Sequence, residues 1–159
     1  FLSLISADLK KAIQYIEEPF PFSKEWSLVS QEIPLAIDHE LSKIVTPEEL
    51  VALVQVIVLK PAKQDISDYV VSFENLPVKF TITNYMDHSL GTLFAYYEAC
   101  RWGHKLPDKF LESGCWTQHI LRTSSEFSLE YQESFLRLPT GVGVGFDATL
   151  ENQKWILLS

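Results

Sequence analysis

The stretch TPEELVALVQVIVLKP, residues 46–61, decides how the rest of the chain is read. Thr46 suits a helix cap, Pro47 fits the first helical turn, Glu48 and Glu49 favour its positive end, and Pro61 stops what precedes it. Apolar residues would surround such a helix, so it would be buried on several sides. A strand over residues 51–59 fits the same run, because a continuous apolar segment has no period to choose by. The start and stop signals favour the helix.

Upstream, SADLKKAIQYIEE reads as a helix capped by Ser6, with Leu9, Ile13 and Ile16 on one face and Pro19 and Pro21 ending it. In FSKEWSLVSQEIPLAIDHELSKIV, Pro34 is expected to separate two short helices. Downstream, DYVVSF and VKFTIT are rich in β-branched and aromatic residues and flank the turn residues of ENLP. They predict a hairpin with Val78, Phe80 and Ile82 on one face. DHSLGTLFAYYEACRWGH predicts a helix with Leu90, Leu93, Tyr97, Cys100 and His104 on one stripe. PDKFLESGCWTQHILRT predicts a second, weakened where Ser113 meets Gly114.

FSLEYQESFLRL, GVGVGFDA and KWILLS then suggest three strands, and no internal repeat stands out. Without regular βαβ alternation, this order predicts an α+β fold with a mostly antiparallel sheet and helices packed on one face. One globular domain over residues 1–159 is expected, and the lack of an initiator Met leaves room for residues or a whole domain before Phe1.

With 47% apolar, 13% aromatic and 21% charged residues, the chain of 159 residues can bury a sizeable core. Its 13 basic residues are scattered against 21 acidic ones, for a net charge of -8. Nucleic acid needs clustered Lys and Arg, and an anionic membrane repels an acidic surface, so neither is an expected partner. Two cysteines and no secretion signal point to the cytoplasm.

Both cysteines lie in CRWGHKLPDKFLESGCWTQH, residues 100–119, each with a histidine four residues on. Cys100, His104, Cys115 and His119 together make the ligand mix of structural zinc, since residues four apart share a helix face. On an antiparallel helical hairpin, however, the two pairs would be offset by roughly 10 Å, too far for one ion. A loop over residues 105–113 would be needed to bring them together. The alternative is that both cysteines are core fillers and His104 caps free carbonyls. A catalytic thiolate at Cys115 would further need an oriented base and an oxyanion hole, and neither is visible.

Gly143, Gly145 and Ala148 have the spacing of a dinucleotide-binding turn, but no acidic residue follows about 20 positions on and no Lys follows the glycines. A strand with Gly141, Gly143 and Gly145 on one bare face is preferred, open to a close neighbour. Asp38 with His39, Asp87 with His88, Glu17 with Glu18 and Glu48 with Glu49 are adjacent pairs. Neighbours in sequence do not share a helix face, so these read as caps or solvated helix ends. Trp102 and Trp116 fall off the apolar stripe and could be exposed anchors or satellite core.

The residues therefore favour a non-catalytic protein-binding domain with an acidic surface, an adaptor, inhibitor or immunity-type partner, or accessory module. Its partner would be another protein, of basic character, met at Trp102, Trp116 and the strand of Gly143. No cofactor is expected on this reading. The alternative is a small enzyme or ligand-binding domain using the Cys/His site, with or without a structural zinc.

Overall fold

A computed structural model of the chain describes residues 2–38, 46–85, 88–115, 127–133 and 135–154. Its first part alternates strictly: α1 (Ala7–Ala12), β1 (Ile16–Glu17), α2 (Trp26–Ser30), β2 (Leu35–Ile37), α3 (Pro47–Leu53), β3 (Val56–Leu59), α4 (Ile66–Phe73), β4 (Lys79–Ile82) and α5 (Ser89–Lys105). The four strands form one sheet, paired in chain order and parallel throughout. A hairpin of β5 (Glu130–Gln132) and β6 (Phe135–Arg137) and the short α6 (Asp147–Glu151) follow.

The expected mostly antiparallel α+β sheet is thus corrected to a parallel α/β arrangement. Antiparallel pairing among the described strands is confined to the β5–β6 hairpin. Strand order that never reverses is the order of successive units in a βα barrel, whereas a doubly wound sheet changes direction at a switch point.

Residues 46–61 hold both a helix and a strand. Thr46 caps α3 by accepting the Glu49 N–H at 3.1 Å, and the chain leaves helical geometry at Val54, with φ −136° and ψ 152°. Val56–Leu59 then lies between two parallel neighbours, with Ile57 opposite Ile37 on one side and Phe80 on the other. Every β3 residue is buried, so no alternation marks it as a strand.

Pro34 precedes β2 rather than a second helix, and Ile16 pairs with Leu35 in β1 instead of extending α1. Ser6 does cap α1, accepting the Leu9 N–H. The expected hairpin partner of VKFTIT is α4: Asp65 caps it through the Ser67 N–H, and Ile66 and Val70 are buried on one face. A cap and a buried stripe here outweigh the strand preference of Val70 and Val71. GVGVGFDA is a compact turn rather than a strand. Gly141 has φ +138°, and a Cβ there would lie 2.5 Å from an Asp147 carboxylate oxygen. The expected strand KWILLS falls mostly outside the described residues.

Alternate residues of the sheet enter two apolar clusters. Leu35, Ile37, Ile57, Leu59, Phe80 and Ile82 meet the helices through Trp26, Leu50, Val70 and Trp102. The opposite face carries smaller side chains, with Ala36, Val56 and Val58 packed by Tyr15 and Leu111. The outer edge of β4 is covered by residues 109–111, where the Phe80 N–H donates to the Lys109 carbonyl and the Leu111 N–H to the Phe80 carbonyl, both at 2.8 Å.

Trp26 is fully buried, its Nε1 donating to the Phe20 carbonyl at 3.1 Å and its ring meeting Phe20 and Phe22 edge-on. Trp26→Ala is expected to cost about 3–5 kcal/mol, read as a lower urea midpoint.

Candidate functional site

Parallel pairing brings the C-terminal ends of β1 to β4 to one edge of the sheet, and that edge is where ligands and reacting groups gather in parallel α/β folds. Glu17 ends β1 and Glu18 follows it, Asp38 follows β2, Lys60 follows β3, and Thr83, Asn84 and Tyr85 follow β4.

The Lys60 ammonium donates to the Asp38 carboxylate, and both side chains are largely buried, at 12% and 6% exposure. The Asp38 N–H donates to the Glu18 carboxylate at 2.9 Å, and Glu18 itself sits in the left-handed region at φ 40°. Glu17 still touches solvent, yet its carboxyl is held above the ordinary value of 4.5. Partial burial is the main cause, followed by the Asp38 charge; Lys60 pulls it down, and a hydrogen bond with Asp38 and the charge of Glu18 raise it further. The edge therefore assembles three carboxylates and one committed ammonium from strands remote in sequence. Beside them, the Lys60 Nζ lies 5.8 Å and the Lys63 Nζ 3.6 Å from the centre of the Tyr85 ring.

None of these residues was singled out by the sequence reasoning for chemistry; Glu17 and Glu18 were expected to be solvated, and Asp38 was set aside as half of a local pair. The signal was present in YIEE, LAID and VIVLK, three apolar runs that each end in a charged residue. The Lys60 and Asp38 partners are 22 residues apart, about the length of one strand, helix and their loops.

The sequence-predicted residues lie elsewhere. Cys100 and His104 are exposed on α5, whereas Cys115 is buried against β4, its thiol donating weakly to the Ile82 carbonyl at 3.7 Å. Burial pushes the Cys115 thiol up to about 11, with the Asn84 backbone partly offsetting it, so it is not a thiolate at neutral pH. Both cysteines are free. His119 and Trp116 fall outside the described residues, and among those described no group of three or more His, Cys, Asp or Glu side chains could hold a metal ion.

Trp102 faces inward at 2% exposure, its Nε1 donating to Glu98 at 2.9 Å and its ring stacked on Phe110. It is core, not an exposed anchor. Gly143 lies in the turn before α6 at φ +63°, with nothing close to it. A cleft of about 440 Å³ between the loop after Pro61 and α5 is lined in part by Glu98, but Arg101 and Trp102 already engage that carboxylate.

No protein-family model matches the chain. It is 33% identical over 160 residues, 99% of its length, to a protein of Bdellovibrio bacteriovorus named o-succinylbenzoate synthase. That relative is named as an enzyme. The chain spans 48% of the relative's length, about half. The likeness overturns the expectation of a non-catalytic adaptor, inhibitor or accessory module. The expected protein partner falls with it, since the relative is named for making a small molecule. Among the described residues, no helix is long and apolar enough to cross a membrane.

Two outcomes follow from the titrating groups. A thiol reagent at pH 7 should modify Cys100 and leave Cys115 untouched until denaturant is added, as read by mass spectrometry of the labelled protein. Because folding raises the Glu17 value, the native state binds that proton more tightly, and stability falls as pH rises from about 4.5 through the folded value. Glu17→Gln should flatten this fall and raise the melting temperature at neutral pH, with little difference from the parent at pH 4.

Proposed function

We propose that this chain carries the acid–base centre of an enzyme that forms o-succinylbenzoate, with Lys60 as the proton-transferring group. The observation that carries the proposal is the buried Lys60–Asp38 pair at the C-terminal edge of a parallel sheet, in a chain resembling a synthase along nearly all its length. Asp38 fixes the ammonium so that a proton can be delivered from one defined point, and a neutral Lys60 can take one back from the same point. Burial of the pair excludes water and strengthens its field on a bound substrate.

Glu17 and Asp38 also present oxygen donors of the kind that hard divalent cations accept, bound through one or two carboxylates with water and substrate completing the shell. The raised Glu17 value fits such a role, because a cation held there would offset the partial burial and the Asp38 charge that favour the proton. When bound, it would stabilise negative charge developing on a substrate oxygen. We also infer a cytoplasmic location, which the two free thiols support.

Lys60→Met in the full chain should lower the rate of o-succinylbenzoate formation by about 10²- to 10⁴-fold with an unchanged circular dichroism spectrum. Retention of activity in that variant would overturn the assignment of Lys60. Absence of product from the parent protein would overturn the assignment of the reaction.

A further inference from the structure

Among the described residues, the charged groups at the C-terminal edge leave one cation without a carboxylate. Lys60 is paired with Asp38, and Glu17 and Glu18 add further negative charge around it. Lys63 has no carboxylate partner among the described residues; its contact there is the face of Tyr85, 3.6 Å from Nζ to the ring centre. An ammonium over a ring face still has its three N–H donors to offer.

Its position is set by the backbone. The Lys63 N–H donates to the Lys60 carbonyl at 2.9 Å and the Gln64 N–H to the same carbonyl at 3.3 Å, so the turn begun at Pro61 folds Lys63 back beside Lys60. Tyr85, 43% exposed, follows β4, and both ammonium groups lie near its ring, that of Lys63 the closer. A flat ring, and an ammonium with no carboxylate among the described residues, therefore lie near the proton-transferring group.

We propose that Lys63 and Tyr85 form the substrate-recognising wall of this site, Lys63 pairing with a carboxylate and Tyr85 packing against the aromatic ring of an aromatic carboxylate. This rests on the assignment of Lys60 above, and it deepens that reading by naming what holds the substrate. The product of that reaction, a succinyl-substituted benzoate, offers both features, a ring and carboxylates. Lys63 adds positive charge to an edge that already holds Glu17, Glu18 and Asp38, and so lowers the repulsion an incoming carboxylate meets there. Lys63 and Tyr85 hold the substrate and take no part in the proton transfer.

The test is calorimetric titration of o-succinylbenzoate into the full chain, together with steady-state kinetics of its formation. Lys63→Met should weaken binding about tenfold and raise KM by a similar factor, with kcat within about twofold of the parent. Lys63→Arg should restore most of the affinity, and Tyr85→Leu should weaken binding as well while the melting temperature stays near the parent value. Unchanged affinity and KM in Lys63→Met, beside an inactive Lys60→Met, would overturn this inference alone. A fall in kcat with KM unmoved would overturn it too, by showing a role in the chemistry rather than in binding. An active Lys60→Met would instead sink the reading on which it stands.

Discussion

The parallel register of β2 against β3 is the constraint on which the rest depends. With Ala36 opposite Val56 and Ile37 opposite Ile57, the chain leaves both strands at the same edge, and Asp38 meets Lys60 across the gap. A slip of one residue would turn Ile37 and Ile57 out of the helix-facing core and carry both charged residues to the wrong side. The apolar contacts that fix this register thus also fix the geometry of the ion pair. Packing and chemistry are specified by the same few residues.

Much of the local structure could be read from the sequence because its signals are local. Ser6 and Thr46 cap helices as side-chain chemistry suggests, and Val78, Phe80 and Ile82 enter the core. What could not be read is what two-sided burial erases. LAI and VIVL are buried at every position, so they lack the period that distinguishes a strand from a buried helix. DYVVSF misleads in the opposite sense: its β-branched residues suggest a strand, while Asp65 and the spacing of Ile66 and Val70 make a helix. One such exchange is enough to turn a regular βα alternation into an apparent hairpin.

The site was hidden for a related reason. Adjacent pairs such as Glu17 with Glu18 read as helix ends, but Glu17 closes β1, and the ion pair at this edge joins different strands, 22 residues apart. Rarity drew attention to the cysteines and histidines instead. Cys115 occupies a buried position where ionisation is disfavoured, and the inward turn of Trp102 is explained by Glu98, which accepts its indole N–H. The acidity that suggested a basic partner includes Glu17, Glu18 and Asp38, carboxylates gathered around a lysine. A net charge says little about such a site, because it records neither where the charges sit nor what they face.

Two-sided burial of β3 also bears on the nascent chain. QVIVL is a short uncharged run of high β-propensity, of the kind that stacks into cross-β assemblies when left uncovered. Its shelter comes from segments on both sides in sequence: β2, made before it, and β4 made after it. Until both are in place, the acidic start of α3 and Lys60 act as flanking gatekeepers, so the lysine assigned to proton transfer also guards the strand that bears it against self-association.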